Sequence, residues 1–237
     1  MKIAITCAAL CLLSASASAE LDSTAPNRIK VGDKINLTVQ RYEQESPSEP
    51  SILQEKKSSA SYSIDSDTGE ERSVKYSNGA IEVFNKKLAF IASVSKNGER
   101  KDLKPSAIKN WMPTSDLKAG MKWTFETLWE AEASNAARHM CQFDGGYKAR
   151  SSDSERDLTI DGKLVHLNVT VVDIEGNISL RTCEGDAWRV QERYVYSKDL
   201  DLIIEHNILQ KDPFGKMLGG ASNRLLKVSA ITTNPVR

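Results

Sequence analysis

Apolar and polar residues alternate through most of this chain, and that alternation sets the fold class. Ile35, Leu37 and Val39 stand against Asn36, Thr38 and Gln40. Leu88, Phe90, Ala92 and Val94 repeat the pattern, and Val165, Leu167, Val169 and Val171 oppose His166, Asn168 and Thr170. Trp188 and Val190 align with Tyr194 and Tyr196, interrupted by Glu192. Leu200, Leu202, Ile204, His206 and Ile208 make another row, and Leu226, Val228 and Ala230 a last one. Side chains two apart share a face only in extended chain, so each row predicts a strand.

The punctuation agrees. Asn78-Gly79, Asn97-Gly98 and Asp161-Gly162 sit between apolar runs and readily take the positive φ angles of two-residue hairpin turns. Gly176-Asn177 and Gly185-Asp186 are further turn material. Strands joined this way are antiparallel, and no strand–helix alternation suggests a parallel sheet. Helix is scarce. Pro105 to Met112 predicts one short helix ended by Pro113, and the Ala-rich Ala131 to Gln142 predicts a second. Ser46 to Ser51 is a loop, because its two prolines cannot sustain a ladder, and Lys56 to Ser63 resumes as a polar strand. The expectation is an all-β protein: mainly antiparallel sheet, curved or in two packed β halves, with one or two short helices.

The first nineteen residues form a separate element. A lysine, a short apolar run from Ile3 to Leu13 and small residues ending Ala17-Ser18-Ala19 read as a secretory signal peptide cleaved before Glu20. The run is too short to span a bilayer, and no later apolar run is long enough. The expected product is periplasmic or secreted. Cys7 and Cys11 leave with the signal, so Cys141 and Cys183 remain. Two cysteines in an exported chain read as one disulfide, with a metal site through His139 or a reactive thiol as alternatives. Such a bridge closes a loop of about 43 residues, for which chain entropy allows about 4 kcal/mol. A formal net charge of +0 gives no electrostatic reason for nucleic acid or an anionic membrane as partner. An apolar content of 40% is enough for a folded core.

An internal echo suggests a division. Val31-Gly32-Asp33-Lys34-Ile35 and Ala119-Gly120-Met121-Lys122-Trp123 each place Gly-x-Lys before an alternating strand. Residues 20–115 and 116–237 then read as two β halves of one duplicated or continuous domain. Leu117 to Trp123, followed by Arg193-Tyr194-Val195-Tyr196-Ser197-Lys198-Asp199-Leu200-Asp201-Leu202-Ile203-Ile204, resembles a pattern in bacterial exported proteins of unknown function. The resemblance covers the last half of the chain. It implies an antiparallel β protein of the cell envelope and brings no catalytic residues. Where that pattern carries glycine after Leu200, this chain has Asp201.

Candidate chemistry is sparse. No His-Glu-x-x-His, nucleophile elbow or phosphate-binding glycine loop occurs. His166 and His206 lie in strand rows, where a hydrogen-bonded histidine is the expected reading and a metal site is not. The acidic groups Glu126, Glu130 and Glu132, and Asp153, Glu155 and Asp157, read as solvated strand faces. Aromatics are more suggestive: Trp123, Phe125 and Trp129, and Tyr194 and Tyr196, line a ligand cleft or fill the core. Phe214, Met217 and Leu218, set among Gly215, Gly219 and Gly220, give a loop that docks on a cleft, a ligand or a partner. These eight are the candidate ligand-binding residues. No catalytic residue, metal ligand or cofactor is assigned. The leading expectation is non-enzymatic binding of an apolar ligand or polypeptide segment on a concave sheet, the partner being that ligand or another envelope protein. The alternatives are an assembly or inhibitor module without a cavity, and a carboxylate-dependent hydrolase.

Overall fold

The computed structural model of the chain describes residues 28–43, 52–53, 57–113, 115–132, 140–183, 187–212 and 223–235. Among them are thirteen strands: β1 (Lys34–Glu43), β2 (Ile52–Leu53), β3 (Ser58–Asp67), β4 (Glu71–Tyr76), β5 (Ile81–Asn85), β6 (Phe90–Val94), β7 (Arg100–Asp102), β8 (Lys122–Glu132), β9 (Met140–Ile160), β10 (Lys163–Leu180), β11 (Trp188–Ser197), β12 (Leu202–Lys211) and β13 (Arg224–Thr232). Twelve of them run side by side, antiparallel, in the order β7-β6-β5-β4-β3-β1-β13-β12-β11-β10-β9-β8, and β2 pairs with the end of β1. The all-β expectation holds. Strand β1 lies along β13 from Lys34↔Thr232 to Arg41↔Arg224, so the first and last described strands share one sheet. The end of β13 also pairs in parallel with the end of β9, which closes a circuit through β10, β11 and β12.

The asparagine–glycine and aspartate–glycine turns fall where expected, with Gly79, Gly98, Asp161 and Gly162 all at positive φ. Four other local expectations are corrected. Gly176-Asn177 is not a turn but lies inside β10. There a Cβ on Gly176 would come within 2.3 Å of the Tyr147 ring, so the glycine makes room for an aromatic. Leu88 does not continue the β6 row; it sits in a turn at φ 55, where the Asn85 side chain accepts from the amides of Lys87 and Ala89. The Pro105 helix shrinks to a 3-10 turn, Pro105–Ala107, without a side-chain cap. Beyond it Lys109 and Trp111 both turn inward, a spacing of two that a helix cannot supply. The helix over Ala131 to Gln142 is strand at both ends, with Ala131 opposite Cys141; cross-strand pairing overrides local propensity. Residues 133–139, with His139, lie outside the described residues, as do Ser46 to Ser51, Gly185-Asp186 and the signal segment.

The long hairpin β9–β10 serves two cores. On β10 the buried row runs Val165, Leu167, Val169, Val171, then changes parity to Val172, Ile174, Ile178. The first row joins a core with Leu158, Ile160, Val195, Ile35, Ile64 and Ile231, and the second joins one with Tyr147, Ala149, Val190 and Tyr194. Register places the change on one line across the sheet, through Ser151–Ser152, Val171–Val172 and Tyr194–Val195. A strand alternates strictly, so consecutive buried residues mean that both faces are covered there. Cys141 and Cys183 form the expected disulfide, with Cα atoms 5.5 Å apart.

Candidate functional site

The arc β5-β4-β3-β1-β13-β12 bends around a cavity of about 460 Å3. Leu37, Ile64, Val74, Phe84, Leu202, Ile204, Leu226 and Val228 supply its apolar wall, and Tyr62 and Tyr76 face it from β3 and β4. Each arrives by strand alternation: Tyr62 and Ile64 on β3, Arg72, Val74 and Tyr76 on β4, Leu226 and Val228 on β13. The segment from Leu103 to Trp111 passes across one side and adds Leu103, Ala107, Lys109 and Trp111. Residues before 115 and after 116 therefore build the cavity jointly.

Trp111 is held from three directions. Its indole Nε1 donates to the Leu88 carbonyl at 3.4 Å, its own carbonyl accepts from Trp123 Nε1 at 3.1 Å, and its ring stacks on Tyr194 at 4.4 Å. Tyr194 stacks in turn on His206 at 4.2 Å, giving a three-ring pile along the wall. Beneath it lies Glu192, the residue that interrupts the apolar row of β11 and is only 6% exposed. Its carboxylate accepts from Lys109 Nζ, from Tyr194 Oη at 2.8 Å and from His206 Nε2 at 3.4 Å. Burial alone would raise the Glu192 pKa; the His206 hydrogen bond and the Lys109 charge outweigh it and bring it down to about 2. Lys109 also lies 4.4 Å from the centre of the Tyr147 ring, a cation–π contact.

A second buried charge ties β4 to the β11–β12 turn. Arg72 of β4 donates through Nε and Nη2 to Asp67, through Nη2 to Asp201 at 2.8 Å, and through Nη1 to the Asp201 carbonyl at 2.6 Å. Asp201 stands in the β11–β12 turn at φ 51, where glycine would be at ease. Its carboxylate is the reason for the exception, because it also accepts from Tyr196 Oη at 2.9 Å and Arg28 at 2.7 Å. Burial works against the Asp67 carboxyl, but the Gly69 amide and the Arg72 guanidinium outweigh it and hold its pKa below the ordinary value. On the opposite wall Tyr76 Oη donates to Glu82 at 2.8 Å, and burial followed by the Glu82 charge pushes the phenol pKa up. The charges inside the wall are thus matched, and what faces the void is mainly hydrocarbon.

Of the eight residues picked from sequence, Tyr194 lines the cavity. Trp123 reaches it only through Trp111, and Tyr196 bonds Asp201, which in turn holds the lining residue Arg72. Phe125 stacks on Tyr147 at 4.8 Å and Trp129 on Phe143 at 5.3 Å, both packed on the second core. Phe125 also borders a polar surface depression of about 770 Å3 with Lys148, Glu175 and Arg189. Phe214, Met217 and Leu218 lie outside the described residues. Sequence reasoning missed Tyr62, Tyr76, Phe84, Phe90 and Trp111. Their strands were legible as Tyr62–Ile64 and Arg72–Val74–Tyr76, yet polar members hid the apolar rows. His206 is hydrogen-bonded and partly buried, as expected for such a row. His166 is exposed between Asp157 at 2.8 Å and Glu155 at 3.3 Å; the Asp157 hydrogen bond raises its pKa. Among the described residues no group of three His, Cys, Asp or Glu side chains is arranged to hold a metal ion. Among those residues no helix is long and apolar enough to cross a membrane.

No family model matches the sequence, and no curated protein matches it. Among solved structures, the hypothetical lipoprotein YmcC from Escherichia coli is similar at a TM-score of 0.42 and 12% identity, over 86% of this chain and 85% of that one.

Proposed function

We propose that this chain is an exported, non-enzymatic binding protein of the bacterial cell envelope that holds an apolar ligand in the cavity between its two halves. The cavity itself carries the reading. A volume of about 460 Å3 lies within the range of small-molecule sites, and such sites are mostly apolar with a few fixed polar groups. The cavity is open to solvent on one side, and an apolar concavity of this size exposed to water is a site that an apolar ligand would cover favourably. The Cys141–Cys183 bridge and the leader-like first nineteen residues support an oxidising compartment outside the cytoplasm.

The test fills the space. Leu226 is half-buried and faces the void from β13. Leu226→Trp should abolish binding of the fluorescent apolar probe N-phenyl-1-naphthylamine while the melting temperature stays level or rises. Native mass spectrometry of protein taken from the periplasm should show a bound apolar molecule that the variant lacks. A variant that takes up the probe as the parent does would place binding elsewhere on the molecule.

A further inference from the structure

Above the apolar wall, Arg224 at the start of β13 lines the same cavity and stands directly opposite a second arginine, Arg41 of β1. The register climbs through Leu37↔Val228 and Val39↔Leu226 to Arg41↔Arg224. Directly opposed residues of antiparallel strands share a face, and like charges placed so destabilise a sheet. Both arginines are exposed, and among the described residues neither has a carboxylate within ion-pair distance. The other cations at the cavity are matched: Arg72 by Asp67 and Asp201, Lys109 by Glu192. The acids do not cancel the pair. Glu82 and Glu205 also line the cavity, Glu82 accepting from Tyr76 Oη and Glu205 standing opposite Lys227, and neither lies within ion-pair distance of Arg41 or Arg224. The result is a graded site, hydrocarbon within, the Arg224 guanidinium at the rim and Arg41 beside it across the β1–β13 pair.

Resting on the reading of the cavity as a binding site, we infer that its ligand is a single-chain amphiphile with a carboxylate head, the tail against Leu37, Leu226 and Val228 and the head between Arg41 and Arg224. A planar guanidinium fork matches a carboxylate in two-point geometry, and an anion between the two arginines converts their repulsion into attraction. The cavity volume suits one tail rather than two.

Three probes with the same tail separate head from tail: dodecanoate, dodecanol and dodecyltrimethylammonium, titrated calorimetrically into delipidated, disulfide-bonded protein. Dodecanoate should bind about tenfold more tightly than dodecanol, and the cation more weakly than either, as expected for a charge-assisted contact at a rim. The advantage should shrink in high salt. In Arg41→Gln/Arg224→Gln it should vanish, with dodecanol affinity unchanged and the melting temperature level or higher, since a repulsion is removed. If dodecanol binds but dodecanoate binds no better, or keeps its advantage in the double variant, the head-group assignment is overturned and the cavity reading stands. If none of the three binds the parent protein, the cavity reading falls, and this inference with it.

Discussion

The two apolar regions of this protein are built from the same kinds of residue and end in opposite states. Around Tyr147 the aromatics close on one another: Phe125 on Tyr147 and Trp129 on Phe143 stack within 5.3 Å, and Gly176 lets the Tyr147 ring reach the backbone of β10. Around Tyr62 the aromatics meet at an angle, Tyr62 with Tyr76 at 5.7 Å and Phe84 with Phe90 at 5.9 Å, and the space in front of them stays open. Stacking removes apolar area from water at no cost in void, so a region that forgoes it gives up stability. The second region also carries the opposed arginines Arg41 and Arg224. Packing belongs to the first region and vacancy to the second, and the long hairpin β9–β10 borders both.

If that contrast is right, the closed region should be the one that depends most on its fastenings. Cys141 is the second residue of β9 and Cys183 follows the end of β10, so the bridge fixes the far end of the hairpin where the aromatic stacks lie. Replacing both cysteines with serine should cost about 4 kcal/mol by the loop-closure model. Thermal or urea unfolding measures it. Dodecanoate or naphthylamine affinity at a temperature where the variant is still folded should change little, because the cavity lies toward the other end. A variant that is equally stable would mean the stacks hold the hairpin without the bridge.

Next in size is the charge that joins the two regions. Glu192 sits under the Trp111–Tyr194–His206 pile, one end of its environment in the closed core and the other at the cavity wall. Its folded pKa, about 2, lies below the ordinary value of 4.5. A depressed carboxyl contributes stability above its unfolded pKa and loses it as pH falls through the folded one. The contribution should therefore be complete above about pH 4.5 and gone by about pH 2, amounting to roughly 3 kcal/mol. Denaturant melts across that window should show the loss in the parent and a flatter limb in Glu192→Gln, whose stability at neutral pH is already reduced. Equal acid limbs in the two proteins would detach Glu192 from the stability of either region.

How far the sequence announces this arrangement depends on which side chain carries the signal. The rows at 165–171 and 226–230, the hairpin glycines and the cysteine pair are local or compositional features, and the structure bears them out. The cavity is a relation between strands far apart in the chain, Tyr62 with Leu226 and Lys109 with Glu192, and no local pattern encodes that pairing. The aromatics clustered in sequence, Trp123 to Trp129, pack on the second core, while Tyr62, Tyr76 and Phe84, dispersed across β3, β4 and β5, line the cavity. The interruption of a clean row was the better clue. Glu192 breaks the alternation of β11 and Asp201 stands where glycine is expected, and each marks a buried ion pair beside the cavity. Arg41 and Arg224 are separated by most of the chain, so only the β1–β13 register makes them neighbours.

The smallest effect tests the contrast most directly, because it asks the same question of each region. Truncating a packed side chain loses its transfer free energy and also creates a hole, whereas truncating one that already faces a void loses only the first. Ile174, 1% exposed in the closed core, provides the reference: Ile174→Ala should cost roughly 3 kcal/mol or more. Leu226→Ala should cost about 1 kcal/mol, since the cavity it borders exists before the change. The readout is the urea midpoint at constant slope, measured on delipidated protein so that a bound ligand does not lend stability to one variant and not the other. Adding dodecanoate should then separate the two further, raising the midpoint of Ile174→Ala as it does that of the parent and raising that of Leu226→Ala less. Two truncations of equal cost, unchanged by dodecanoate, would mean that Leu226 is packed as tightly as Ile174 and that the second region is not held open.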